Sequence, residues 1–383
     1  MSYEPPADSP ERQIAQCISG GITAAFGRIR LTTSDNVMDE LIRSIKQYSE
    51  ISKIGRSLLS SFGHGNPATA FPHLQSFARQ GLAFFDGARN LHHRASPLLY
   101  YYSFLNLSKA ICYSRRPNFP VGRIMHGLSD VPGPRTLRQS VVRLQPGGVF
   151  NILYETIMGI PFTSSGDIPV ARLLGYISDC RWECVSFNYE VPRSTGAIFY
   201  LTRDATEADF RATLAVENTG ARSDISLRRI LARDFEPIKI AQQSLNFVFG
   251  IRAERALGYS YWRSKRSFPS PPVGGIPANE IGNHVAEVLS DRTSDVVYDE
   301  EFTFQINRAF AKSNGPPMNE FLAIYILMFF FGSLVRYRPS VLEDMLEKED
   351  AWMIESVMRS TPLAFLRHAR NALSGDRAVY CAR

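Results

Sequence analysis

The sequence predicts an α+β protein, mainly helical, in which helices at both ends enclose a mixed region carrying β-strands. Three observations carry that expectation. Apolar residues recur at helical spacing through the first third of the chain. Apolar and polar residues alternate strictly from Val185 to Val191, within a stretch, 184–216, that reads as strands. An apolar run of helical length, FLAIYILMFFFGSLV, returns near the C-terminus.

Residues 1–12 are polar, charged and proline-bearing, which predicts a disordered tail and no signal peptide. An N-terminal helical part is expected over 13–115. Asp35 can cap a helix whose Val37, Leu41, Ile45 and Tyr48 share one face. Leu74, Phe77, Phe84, Ala88 and Leu91 mark a second amphipathic helix. Ser96 followed by Pro97 reads as a helix start, with Ser as N-cap and Pro in the first turn. The helix that follows is apolar nearly all round, yet carries Ser103, Asn106 and Lys109 close to one face. Polar groups on a buried helix need partners or a wet cleft to face.

A mixed region with a β insert is expected over 116–277. Short helices are predicted at 150–158 and 169–177. Val185, Phe187, Tyr189 and Val191 alternate with polar residues as a half-buried strand does, and 198–201, 211–216 and part of 246–268 also lean to strand. A C-terminal helical part, 278–383, should pack on the N-terminal helices. Its apolar run from Phe321 to Val335 spans 15 residues, short of the roughly 20 that cross a bilayer, so it reads as a buried core helix and no membrane is expected.

With 43 basic and 37 acidic side chains the chain carries a net +6, a mild bias that permits a polyanionic partner without demanding one. Cys17, Cys112, Cys180, Cys184 and Cys381 are few, odd in number and scattered, which fits a reducing, cytoplasmic setting better than a disulfide framework. Cys180 and Cys184 lack a second ligand pair, so structural thiols are expected and no metal. No Walker A loop, dinucleotide fingerprint, H-E-x-x-H or G-x-S-x-G occurs, and no cofactor is expected.

The candidate chemistry falls into four groups. Arg89, His92 and His93, with Lys109, could serve acid–base chemistry on a phosphodiester; alternatively the Arg and His residues cap a helix C-terminus. Asn106 and Lys109 need a partner if buried, and Glu320 at the start of the other apolar helix is the natural acid. Arg336 and Arg338 are either an anion clamp or caps of a helix end, and His126 before Gly127 suggests close backbone approach. In YSYWRSKRSF, Trp262 stands among Arg263, Lys265 and Arg266, as in single-strand binding sites, though a solvated strand gives the same string.

Three clusters taken together resemble the YaaC-like family of bacterial proteins over roughly residues 70–370. They are Ser96-Pro97-Leu98-Leu99-Tyr100-Tyr101 with Leu105-Asn106-Leu107 and Lys109-Ala110; His126-Gly127-Leu128; and Asn319-Glu320 with Tyr325, Gly332-Ser333-Leu334 and Arg336-Tyr337-Arg338-Pro339. The resemblance implies a helical bundle related to HEPN domains with an inserted mixed region. HEPN ribonucleases place four to six residues between an Arg and a His on one helix, and Arg89 and His93 have three between them. None of His64, His73, His92, His93, His126, His284 or His368 has an Arg so placed. The expectation is therefore a non-catalytic or partner-dependent protein that binds RNA, DNA or a protein partner in a bacterial stress or phage-defence setting. A metal-independent ribonuclease and a structural subunit of a homo-oligomer are the alternatives.

Overall fold

The structure is a computed structural model that describes residues 29–33, 36–122, 124–133, 136–163, 165–191, 194–203, 209–217, 231–238, 259–269, 303–307, 316, 318–375 and 377–381. The expected tail lies outside these residues, as do 218–220, 279–289 and 295–301, whose sequences read as a turn, a helix and a solvated acidic loop. The chain divides into two compact units. A helical unit is drawn from Thr32–Pro192, Ala309–Gly375 and Tyr380–Arg383. A sheet unit is drawn from Met1–Leu31, Arg193–Arg308 and Asp376–Val379.

A first strand, β1 (Ile29–Thr33), pairs with the last, β10 (Arg377–Cys381). Helix α1 (Val37–Glu50) buries Leu41, Ile42 and Ile45. Its cap is Asn36, one position beyond the expected Asp35, with the Asn36 side chain accepting from the Asp39 amide at 3.2 Å. After α2 (Ser52–Ser61), Asn66 caps α3 (Pro67–Ala88) by accepting from the Ala68 and Thr69 amides. Helix α4 spans Ser96–Arg115, with Ser96 inside it rather than capping it. The chain arrives through a tight turn in which the Ala95 and Ser96 amides both donate to the His92 carbonyl. Gly81 lets α3 approach α4 closely, since a Cβ there would lie 2.8 Å from Leu107 Cγ.

Between α4 and the sheet unit lie β2 (Leu128–Asp130), β3 (Val141–Leu144), α5 (Val149–Met158), β4 (Gly166–Pro169) and α6 (Val170–Leu174). The three strands form an antiparallel sheet in the order β2-β3-β4. A 3-10 turn (Ser178–Cys180) then leads into α7 (Arg181–Ser186). The alternation at 185–191 is thus not a strand. Cys180 and Cys184 sit one helical turn apart, both buried, while Val185 faces outward, and the Tyr189 amide closes the turn onto the Cys184 carbonyl at 2.7 Å. Burial pushes both thiols up to about 12, so they behave as packing groups.

The sheet unit is an antiparallel sheet ordered β7-β8-β6-β5-β9. It comprises β5 (Ser194–Arg203), β6 (Phe210–Glu217), β7 (Phe235–Ile238), β8 (Tyr259–Ser264) and β9 (Thr303–Asn307). β9 falls where a helical part was expected to have resumed. Among the described residues beyond 277, helix begins at Glu320.

Helix α8 (Glu320–Tyr337), capped by the Asn319 side chain on the Leu322 amide, is buried continuously from Glu320 to Leu334. By length and composition it could cross a membrane, but most of it is enclosed by its neighbours in the fold. It packs on α4 as two helices apolar on every face must. Gly332 admits Tyr101, and the Tyr101 ring meets Phe329 edge-on at 5.4 Å. After α9 (Pro339–Leu346), α10 (Asp350–Ser374) completes the core, its Phe365 stacking on Phe104 at 3.7 Å and touching Phe321 at 4.8 Å. Each such side chain contributes roughly 1.5–3 kcal/mol through burial.

Candidate functional site

The loop before β2 is fastened to the first turn of α5, whose amides would otherwise lack partners. Val149 N donates to Met125 O at 2.9 Å and Phe150 N to His126 O at 3.0 Å, while Gln145 N donates to Gly127 O at 3.0 Å. Two glycines make this possible. Gly127 (φ +77°) and Gly148 (φ +120°) touch back to back, and a Cβ on Gly148 would stand 2.5 Å from Gly127 N. The close approach expected at Gly127 is real, and it presents the His126 ring to α4.

His126 Nδ1 lies 2.6 Å from the Tyr101 hydroxyl. One residue along α4, the Tyr102 hydroxyl accepts from Arg336 Nη1 at 3.0 Å. Lys109, two turns further on, points back toward these residues as helical side chains do, with its ammonium 5.9 Å from the Phe77 ring centre. Burial lowers the Lys109 pKa. Burial also lowers His126 below its ordinary range, and the charges of Lys109 and Arg336 lower it further, so the imidazole is neutral near pH 7. Among the described residues no carboxylate lies within ion-pairing distance of Lys109, His126 or Arg336. Half-exposed aromatic rings surround them: Phe77, Phe84 against Tyr102 at 5.4 Å, and the exposed Tyr337 beside Arg336. Asn106, buried one turn before Lys109, donates to the Tyr102 carbonyl at 2.8 Å. The sequence thus supplied Asn106, Lys109, His126 and Arg336 as candidates, and the structure brings them together.

The other candidates go elsewhere. Glu320 does not meet Lys109. It is 1% exposed and accepts from the Ser178 amide at 2.7 Å, with His368 Nε2 at 2.9 Å and Arg367 at 3.8 Å. Arg338 pairs with Asp130 at 2.5 Å. Arg89 binds Asp39 at 2.9 Å, and His93 lies 3.9 Å from Glu355. Arg89, His93, Ser96, Tyr100, Glu355 and Arg359 line a cleft of about 360 Å³. Lys109 stands about 20 Å along α4 from Ser96, so it does not join that group.

Trp262 is 6% exposed and donates to Ser260 Oγ at 3.2 Å, in a strand enclosed by β7 and β6. Arg263 pairs with Glu236, Lys265 Nζ donates to the Ala232 and Arg233 carbonyls, and Arg266 lies over Phe268. The basic aromatic string therefore builds the sheet, and no open Trp262 face remains for a base to stack on.

Sequence reasoning missed Tyr101 and Tyr102 as members of the cluster. The available signal was the i, i+7 relation of Tyr102 to Lys109 on a helix otherwise apolar. It also missed His368 and Arg367, the partners of Glu320, for which no local signal exists. Among the described residues no three His, Cys, Asp or Glu side chains converge as metal ligands would.

A family model described as YaaC-like Protein matches residues 66–373. No curated protein and no solved structure matches the chain.

Proposed function

The chain belongs to the YaaC-like family, and on that premise we propose that it binds single-stranded nucleic acid on the face shared by α3, α4 and α8. One observation carries this reading: Lys109, His126 and Arg336 converge without a carboxylate, among the half-exposed rings of Phe77, Phe84, Tyr102 and Tyr337. Cations that meet no acid within the fold suit phosphates, and neighbouring rings suit stacked bases of any sequence. The binding is non-catalytic or partner-dependent in this reading, and the helical unit is a HEPN-like bundle. The bacterial stress or phage-defence setting follows by analogy with such bundles.

The test is a salt-dependent titration of the whole chain with single-stranded RNA and DNA. Affinity should fall as salt rises, because neutralised phosphates release counterions. Arg336→Gln and Lys109→Met should each weaken binding and flatten the salt slope, whereas replacing Arg263, Lys265 and Arg266 together with Ser should not. A parent chain that binds neither nucleic acid, or a slope set by the sheet residues, refutes the proposal.

A further inference from the structure

Resting on that reading, we infer that the Lys109–His126–Arg336 cluster holds the terminal phosphomonoester of a nucleic-acid strand rather than an internal phosphodiester. Arg336 and His126 are tethered to adjacent residues of α4 by the Tyr102 and Tyr101 hydroxyls, at 3.0 and 2.6 Å, and the charges of both Arg336 and Lys109 are felt at the imidazole. Lys109 reaches into the same region from two turns away and is only partly exposed. A terminal phosphate has a single sugar attached and projects beyond it. An internal phosphate carries a sugar on both sides and reaches a half-buried ammonium less readily.

Lys109 and Arg336 supply two positive charges that meet no acid among the described residues. An internal diester brings one negative charge, whereas a terminal monoester brings about −1.5 to −2 at neutral pH. The monoester therefore compensates both cations, and the desolvation that penalises Lys109 is offset only when it does so.

Tyr101 is a buried phenol whose proton is held by burial, above all other causes. In the tautomer in which that phenol donates to Nδ1, the proton of the neutral imidazole sits on Nε2, and His126 offers an anion a donor that needs no added charge. Arg336 likewise spends one of its five N–H groups on Tyr102 and keeps its fork for the ligand.

The experiment uses the whole chain and three 12-nucleotide single strands of one sequence, ending in a 5′-phosphate, a 3′-phosphate or hydroxyls at both ends. One phosphorylated strand should bind about tenfold more tightly than the hydroxyl-ended one, the worth of a charge-assisted contact, and which strand it is identifies the end. Arg336→Gln and His126→Asn should each narrow that ratio toward one. Arg336 is exposed, so its variant tests recognition without burdening the fold, and melting curves verify both variants. Equal binding of all three strands overturns the inference while leaving nucleic-acid binding in place. A ratio unmoved by either variant also overturns it, since the end would be read elsewhere. Failure to bind any strand removes this inference and the proposed function together.

Discussion

The hydroxyl of Tyr101 lies 2.6 Å from Nδ1 of His126, and this bond joins the central helix α4 to a loop that two glycines hold against α5. The groups facing that imidazole are Tyr101 and Lys109 from α4 and Arg336 from α8. All oppose or do not assist its protonation in the free protein. His126 therefore titrates below its ordinary 6.5 when the site is empty. The ligand-free fold should lose stability as pH falls below 6.5 through the lowered value, where the folded state resists the proton that the unfolded chain accepts. Affinity for a hydroxyl-ended strand, whose diesters keep their charge throughout, should change in the opposite sense and rise over the same window, because a bound phosphate favours the imidazolium. Strand titrations from pH 8 to 5 at fixed ionic strength measure this, and His126→Asn should flatten the profile.

Lys109 gives the clearest separation of stability from binding. Burial disfavours its charge and no acid among the described residues pairs with it, so Lys109→Met should leave the thermal midpoint equal to or above that of the parent. Binding of nucleic acid should nonetheless weaken by about tenfold. Lys46→Met, on the surface of α1, serves as the control. A midpoint well below the control would reveal an ion pair where the geometry has none.

Glu320 should behave in the opposite way. Burial pushes its pKa up more strongly than any other single influence, but the His368 hydrogen bond, the charges of His368 and Arg367 and the Ser178 amide together bring it below the usual carboxylate value. A carboxylate with a lowered pKa contributes stability above its ordinary 4.5, and that contribution is lost as pH falls through the lowered value. Glu320→Ala should destabilise by about 3–5 kcal/mol at neutral pH, since it removes a buried carboxylate that His368, Arg367 and the Ser178 amide all face. Chemical denaturation at pH 7 and at pH 3 tests both statements, with the deficit of the variant shrinking at the lower pH.

Gly148 ties the fold to the site. Its φ of +120° and the 2.5 Å separation that a Cβ would have from Gly127 N leave no room for a side chain. Gly148→Ala should cost roughly 1–3 kcal/mol. It should also weaken binding more than that loss explains, because the His126 loop is displaced. Gly63→Ala is a useful comparison: it has a similarly positive φ but open space around it, and it should affect stability alone.

Parts of this architecture were legible because local physics dictates them. A helix apolar on all faces, such as Phe321–Val335 or the segment after Pro97, has to be buried by others, so their mutual packing was foreseeable from pattern alone. The strands around 198–201 and 211–216 likewise announced themselves by composition. Other readings failed where two structures share one pattern. Residues 185–191 alternate as a strand does, but among the described residues no strand pairs with them, and the i, i+4 spacing of Cys180 and Cys184 served a helical face instead. The aromatic and basic string at 259–268 looked like a surface, yet its position in the interior of a sheet buried Trp262 and neutralised Arg263.

By itself, then, the sequence determined which segments had to be interior and which side chains would be costly there: Lys109, Asn106 and Glu320 stood out because a charge or amide on an apolar helix needs an answer. Which answer each received was decided only by tertiary structure. Glu320 found His368 and Arg367 from the last helix, while among the described residues Lys109 meets aromatic rings, a neutral imidazole and a second cation. The reason is physical. Hydrophobic burial is set by composition along the chain, but an ion pair depends on a few ångströms of separation between residues remote in sequence, and only the packed helices fix that distance.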